Sequence, residues 1–206
     1  MAHRIFLLSP ADCGGRRAGY LLREPASLPL AIRLGNEGAP LGEVFSFLSG
    51  LYFRGKLAYA TAFSAPPAEL PGVLVITPNA GLMPATKIVH LETLRDFARG
   101  EIELANLAYR RPLERDAIRI AAETDKDCEV VLLGSLATGK YLEVLSAVFG
   151  ARLHFPAEFV GRGDMSRGAL MLRCVQDRRE LQYVRATGEI QSRARNSRRV
   201  SIDTTG

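Results

Sequence analysis

Two short apolar segments constrain the fold of this chain more than any other feature of its sequence. Residues 72–77 and 130–133 are built around runs of Val, Leu and Ile and contain no charged residue. Such runs are typical of strands that are buried on both faces of a parallel sheet. Segments with apolar residues at helical spacing lie between them, and this alternation predicts an α/β fold, with a mostly parallel sheet flanked by helices.

The ends of the chain complete the predicted domain. Residues 4–8 and 152–155 are expected to form two more strands. The runs 169–175 and 180–185, separated by four polar residues, predict a C-terminal β-hairpin. Residues 1–186 are therefore predicted to form one α/β domain, and residues 187–206 a basic, flexible tail. Helices are predicted at 40–48, 57–63, 90–98, 112–123 and 138–149.

The composition of the chain limits the compartment and the kinds of partner that we expect for the protein. The net charge is +5, but residues 185–206 carry five arginines against one Glu and one Asp, so the body is close to neutral. Three cysteines without regular spacing favour a reducing compartment over a disulfide framework. No apolar stretch approaches the roughly 20 residues of a membrane helix. A cytoplasmic protein without a membrane partner is predicted.

Ligand-binding residues are expected in the loops that follow the parallel strands. In open α/β sheets, ligands bind beyond the carboxyl ends of the strands. The loops at that edge would be 9–19, 78–87, 134–140 and 156–168, and all of them contain glycine. In three of the four, 9–19, 134–140 and 156–168, Arg or Lys is suited to bind phosphate or carboxylate. This pattern predicts an anionic ligand such as a nucleotide or nucleic acid.

The first loop begins at Ser9 and contains two adjacent glycines followed by Arg16 and Arg17. Adjacent glycines let the backbone approach a ligand and direct N–H groups at it. The alternative is a tight turn with solvated arginines. Cys13 is a possible nucleophile, but no histidine is placed by the sequence to activate it.

The second and fourth loops offer an amide and two more arginines. Asn79 and Gly81 follow a buried strand, where the amide could contact a base edge or simply fix a turn. Arg162 and Arg167 flank Asp164 in a glycine-rich segment. The arginines could hold phosphate while Asp164 orients one of them or accepts a proton. A structural Arg–Asp pair is the alternative.

The third loop matches part of a phosphate-binding motif. Gly134, Gly139 and Lys140 stand at the Gly-x4-Gly-Lys spacing of a P-loop. Tyr141 occupies the position of the Ser or Thr that would bind magnesium, so an anion contact without triphosphatase activity is favoured. Histidines and cysteines show no metal-ligand spacing, and neither a metal nor a cofactor is predicted.

Four of these segments resemble a known family when taken in order. Segments of the YaaA-type peroxide-stress proteins are similar to four stretches of this chain: Leu7-Leu-Ser-Pro-Ala11, Thr77-Pro-Asn-Ala-Gly-Leu-Met-Pro84, Gly134–Tyr141 and Gly161–Gly168. The chain also looks like small bacterial domains that are distantly related to uracil-DNA glycosylases. Asn79-Ala80 replaces the family's Tyr, and the predicted hairpin replaces a helix. The resemblance implies DNA binding, with Ser9, Gly81, Arg162 and Arg167 at matching positions.

The leading hypothesis is a cytosolic protein that binds a nucleotide, a base or nucleic acid and, as the resemblance implies, acts on a glycosidic bond. Asp12 or Asp164 would position the water. The ligand-binding residues would come from all four loops: Ser9, Arg16, Arg17, Asn79, Gly81, Gly134, Gly139, Lys140, Arg162 and Arg167. Two alternatives stay open, a noncatalytic scaffold that binds partners through its tail and a P-loop-like phosphohydrolase or kinase.

Overall fold

The computed structural model describes residues 3–135 and 139–186 of the chain. The predicted tail, residues 187–206, lies outside the described residues. The strands are β1 Arg4–Leu8, β2 Ala39–Pro40, β3 Val73–Ile76, β4 Leu82–Pro84, β5 Ile88–Val89, β6 Glu129–Leu133, β7 Leu153–Pro156 and β8 Tyr183–Arg185. The α-helices are α1 Arg16–Leu22, α2 Pro29–Gly35, α3 Leu41–Ser49, α4 Leu51–Phe63, α5 Leu91–Arg99, α6 Leu107–Glu123, α7 Leu142–Phe149 and α8 Asp164–Gln176.

A six-stranded sheet in the order β4-β3-β1-β6-β7-β8 forms the centre of the fold. Its four inner strands are parallel, and the edge strands β4 and β8 are antiparallel to their neighbours. The predicted α/β class, with a mostly parallel sheet and a C-terminal antiparallel strand pair, is confirmed. β2 and β5 form a separate antiparallel pair.

Alternate residues of the central strand β1 pack against opposite layers of helices. Phe6 and Leu8 contact the layer that contains α1, α3 and α4, whereas Ile5 and Leu7 contact the layer that contains α6 and α7. All four side chains are fully buried. Because both faces are covered, the strand can be apolar throughout, which explains the sequence pattern.

The C-terminal strand pair is not the hairpin expected from the sequence. β8 pairs with β7, and residues 169–175, predicted as a strand, belong to helix α8. Gly168, Met171 and Cys174 are buried at a spacing of three residues, so the apolar run follows a helical period. Helix α8 packs against α4, where Gly55 and Gly168 bring the two backbones into contact.

Three helix boundaries also differ from the predictions. Helix α6 begins at Leu107, so Pro112 lies inside the helix and not at its start. The Asn106 side chain accepts a hydrogen bond from the Ala108 N–H at 3.0 Å and caps the helix. Helix α4 begins at Leu51, six residues before the predicted start, because only Gly50, with φ +61°, interrupts the helical path. Helix α7 begins at Leu142 instead of residue 138.

In the described part of the chain, no helix combines the length and apolar character required to cross a membrane.

Candidate functional site

The loops after the four parallel strands lie at one edge of the sheet, as the sequence predicted. The central strand β1 leads to the helical layer of α1, α3 and α4, and its neighbour β6 leads to α7 in the opposite layer. The connections diverge between these two strands. This is the switch point at which open α/β sheets bind ligands.

A cavity of about 630 Å³ opens beside this switch point. Its lining combines the loop after β1 with the loop after β3, the end of α5 and Lys140. Pro10, Pro78 and Ile102 supply apolar wall, and Asp12 is the acidic residue that the first loop contributes. The lining residues are Pro10, Ala11, Asp12, Cys13, Gly14, Pro78, Phe97, Ala98, Gly100, Glu101, Ile102, Glu103 and Lys140.

The acidic character of the cavity is its main electrostatic feature. Asp12, Glu101 and Glu103 face a single cation, Lys140, among the lining residues. Lys140 forms an ion pair with Glu103. Lys140 was predicted to hold phosphate, and in this structure its charge is balanced by a carboxylate. The cavity therefore favours a neutral or cationic group over a phosphate.

The first loop holds Asp12 in a defined position. One Asp12 carboxylate oxygen accepts a hydrogen bond from the Gly14 N–H at 3.0 Å, which closes a local turn. A Cβ atom on Gly15 would lie 2.6 Å from the other oxygen, so a side chain there would displace the Asp12 carboxylate. The second predicted acid, Asp164, lies at the start of α8 and does not line the cavity.

Cys13 is a buried thiol and not an activated nucleophile. It is 4% exposed, and its Sγ lies 3.6 Å from the Ala11 carbonyl oxygen. Burial, assisted by the nearby Asp12 carboxylate, raises the pKa of the Cys13 thiol to about 12. The reactive thiolate is therefore scarce at neutral pH.

Arginines lie outside the cavity, near the start of α4. Arg17 donates to the Phe47 carbonyl at 3.2 Å and lies against Gly50. Arg167 donates twice to the Phe159 carbonyl, at 3.1 and 2.9 Å, and pairs with Asp164 at 3.4 Å. Since Gly168 contacts the Leu51 backbone, Arg17 and Arg167 flank the same segment of α4. Both predicted phosphate-binding arginines therefore lie outside the cavity lining, and the surface around them is termed the cationic rim.

Two other predicted arginines have local partners. Arg16 donates to the Tyr20 hydroxyl at 2.9 Å, within helix α1. Arg162 is exposed and donates to the Ser166 hydroxyl at 3.2 Å. Neither side chain lines the cavity. Arg162 lies just before helix α8, which contains Arg167, and Arg16 lies on the surface of α1.

The predicted residues of the second loop hold the loop in place. The Asn79 amide donates to the Asp96 carbonyl at 3.0 Å and ties the loop to α5. Gly81 has φ +71°, and a side chain there would collide with Asp116 of α6. Among the residues that line the cavity, this loop contributes only Pro78.

The third loop is shaped by Tyr141. A Cβ atom on Gly134 would lie 2.8 Å from Ser9 Cβ and 3.0 Å from the Tyr141 hydroxyl, so glycine allows the two loops to meet. The Tyr141 hydroxyl accepts a hydrogen bond from the Ser135 N–H at 3.0 Å. Gly139, with φ +66°, precedes Lys140, and residues 136–138 lie outside the described residues.

Sequence reasoning missed Lys56, which contacts the predicted residue Ser9. The Lys56 side chain is fully buried in α4, and its Nζ donates to the Ser9 carbonyl at 2.6 Å and the Ser9 hydroxyl at 2.8 Å. The rings of Tyr52 and Phe53 lie 4.5 and 4.7 Å from Nζ. The available signal was a lysine within a mainly apolar helix.

The surroundings of Lys56 lower its basicity. Burial lowers the pKa of Lys56 to about 7, with an opposing contribution from Asp164 and a reinforcing one from Arg167. Burial also raises the pKa of the neighbouring Tyr52 hydroxyl above its ordinary value. Arg167 acts against this rise, although within residues 3–135 and 139–186 no group meets hydrogen-bond geometry with that hydroxyl.

Metal chemistry has no candidate centre in the described residues, where His, Cys, Asp and Glu side chains do not gather in groups of three or more. Together, the fold and the site define an α/β protein with an acidic cavity and a cationic rim at the carboxyl edge of its sheet. Comparison with protein families, with curated proteins and with solved structures finds no match to this chain.

Proposed function

We propose that this protein binds a nucleotide or a nucleic acid, with a nucleobase and its sugar in the cavity and phosphate on the rim. The observation that carries the proposal is the separation of charge at the carboxyl edge. Asp12, Glu101 and Glu103 line the cavity, whereas Arg17, Arg162 and Arg167 lie outside it. A nucleotide has the same separation, with a neutral base and sugar at one end and an anion at the other.

The cavity has the volume of a small-molecule site. A volume of about 630 Å³ falls in the usual range for ligand pockets, which are mostly apolar with a few placed polar groups. Pro10, Pro78 and Ile102 offer apolar surface for the faces of a base. Carboxylates can accept hydrogen bonds from exocyclic amino groups and from sugar hydroxyls.

Asp12 is the residue best placed for chemistry on a glycosidic bond. Its carboxylate would accept a proton from a water molecule as the water oxygen bonds to the anomeric carbon. The bond between that carbon and the base nitrogen breaks, and the base leaves with the electron pair and takes a proton from solvent. Asp164, outside the cavity, would instead orient Arg167 on the rim.

The resemblance to YaaA-type proteins supports the same proposal. Helix α8 begins at Asp164, within the segment Arg162–Arg167, where the family also continues into a helix. The expected hairpin, which set this chain apart from the family, is therefore absent from that position. Asn79-Ala80 in place of the family's Tyr still separates them.

A titration followed by NMR tests the proposal. Nucleoside 5′-monophosphates and a single-stranded oligonucleotide are each expected to shift the backbone amides of Ala11–Gly14 and the side-chain signals of Arg162 and Arg167. Inorganic phosphate, as the control, should shift only the arginine signals. Nucleotide titrations that leave the Ala11–Gly14 amides unmoved at millimolar ligand would contradict the proposal.

A further inference from the structure

Lys56 connects the interior of the protein to the loop that lines the cavity. Its Nζ donates to both the carbonyl and the hydroxyl of Ser9, and Ser9 is followed at once by the lining residues Pro10–Gly14. The Ser9 N–H in turn donates to the Leu133 carbonyl at 3.1 Å and extends the pairing of β1 with β6. The start of the loop is thus fixed from two directions.

A direct role of the Ser9 hydroxyl in chemistry does not fit its position. Ser9 is 7% exposed and is not among the residues that line the cavity. A substrate in the cavity would meet Pro10 and Asp12 instead. Any influence of Lys56 on the ligand must therefore pass through the backbone of the loop.

We infer that Lys56 is a positioning residue, whose side chain fixes the loop Ser9–Gly14 so that Asp12 and the neighbouring backbone face the ligand. This inference deepens the proposed function and rests on it for the ligand. The hydrogen bonds of Asp12 and Cys13 stay within the loop, to Gly14 and Ala11, and Ala11 and Cys13 pack in the core, so Lys56 supplies the polar anchor of a loop that is also held by apolar contacts. Removing the anchor should free the segment that lines the cavity.

The opening of the loop should depend on pH, because burial makes the charged form of Lys56 less favourable than it is in water. The charged or titratable groups that face Lys56 in the described residues are Tyr52 of α4 and Asp164 and Arg167 of α8. Burial lowers the pKa of Lys56 to about 7, below the value of about 10.5 in water. Above pH 7 an opened state with solvated Lys56 therefore binds more protons than the closed state. Raising the pH from 7 to 8.5 should suppress opening by about 15-fold.

Hydrogen exchange of Lys56→Met tests the inference without any ligand. The variant keeps the side-chain volume and removes the donor. At pH 6, where Lys56 is protonated, protection of the Ala11–Gly14 amides, corrected for intrinsic exchange, is expected to fall at least about tenfold, as for loss of a bond to a charged group. The pH dependence above 7 should disappear. Lys126→Met, which replaces an exposed lysine just before β6, is the matched control, and its loop protection should change less than about threefold.

Binding of an uncharged nucleoside completes the test. Affinity for adenosine, guanosine, cytidine or uridine, whichever binds the wild type, should fall about tenfold in Lys56→Met and little in Lys126→Met. Equal loss of protection across the whole protein, or a loop as protected as in the wild type, would overturn the inference. If Lys56→Met does not fold, the wild type decides the question. Protection of its Ala11–Gly14 amides that does not change with pH above 7 would then overturn the inference. If no nucleoside binds but Lys56→Met loses loop protection as expected, the proposed function is wrong and the positioning role of Lys56 is confirmed.

Discussion

Replacing Gly168 by alanine is expected to lower the free energy of unfolding by about 1–3 kcal/mol, the usual cost of overpacking. A Cβ atom at this position of α8 would lie 2.8 Å from the Leu51 carbonyl oxygen and 2.9 Å from the Tyr52 Cα. Both are backbone atoms of α4, which cannot move aside as a flexible side chain could. Gly55 of α4 faces the same contact, since its own Cβ would lie 2.6 Å from the Gly168 carbonyl oxygen.

Urea unfolding measures this loss, and Gly19→Ala is the matched control. Gly19 also lies within a helix, but a Cβ atom there would meet nothing within 4 Å. Alanine should therefore stabilise that position by about 0.5–1 kcal/mol through helix propensity. The account of α4–α8 packing is wrong if Gly168→Ala unfolds at the same urea concentration as Gly19→Ala.

Replacing Asp12 by asparagine is expected to reduce base release from a nucleotide or oligonucleotide by about 10²–10⁴-fold, the usual contribution of a positioned general base. Asparagine keeps an oxygen that can accept the Gly14 N–H, so the local turn should persist. The lost property is the charge that accepts a proton. Chromatographic detection of the free base measures the rate, and ligand affinity should change far less than turnover.

Asp164→Asn separates the two carboxylates that the sequence proposed for the same role. Asp164 lies outside the cavity and pairs with Arg167, so its substitution should leave the rate of base release within about threefold of wild type. If the rate of base release falls more in Asp164→Asn than in Asp12→Asn, Asp164 and not Asp12 is the general base. A wild-type protein that releases no base from any of these substrates would limit the function to binding.

The parallel core could be predicted from the sequence because its strands are buried on both faces. Runs such as Val130–Leu133 have no polar residue that would fit another environment, and the edge at which their loops meet follows from the strand direction. Helix α8 could not be predicted in this way. Its run Ala169–Val175 is apolar enough for either element, and contact with α4 at Gly168 decides in favour of the helix.

The candidate site was predicted only in outline. Asp12 and Lys140 do line one cavity, but Arg167 is turned to the Phe159 carbonyl outside it. Asn79 was expected at the ligand, and its amide instead ties the loop to α5. Lys56 was not predicted as a site residue, because its role depends on a contact with Ser9, 47 residues earlier in the chain. Such long-range pairs leave no local pattern in a sequence.

The most direct test of the proposed site is the affinity of Gly14→Phe for a single-stranded oligonucleotide at low salt. A Cβ atom on Gly14 would have room, with the Ala98 carbonyl oxygen and an Asp12 carboxylate oxygen each 3.8 Å away, so the larger side chain can extend beside the cavity lining. Gly19→Phe adds the same ring on helix α1, away from the lining residues. If a base occupies the cavity, Gly14→Phe should weaken binding about 10- to 100-fold, the worth of one stacked base, and Gly19→Phe should bind like wild type. Equal affinity of the two variants would contradict the placement of the ligand in this cavity.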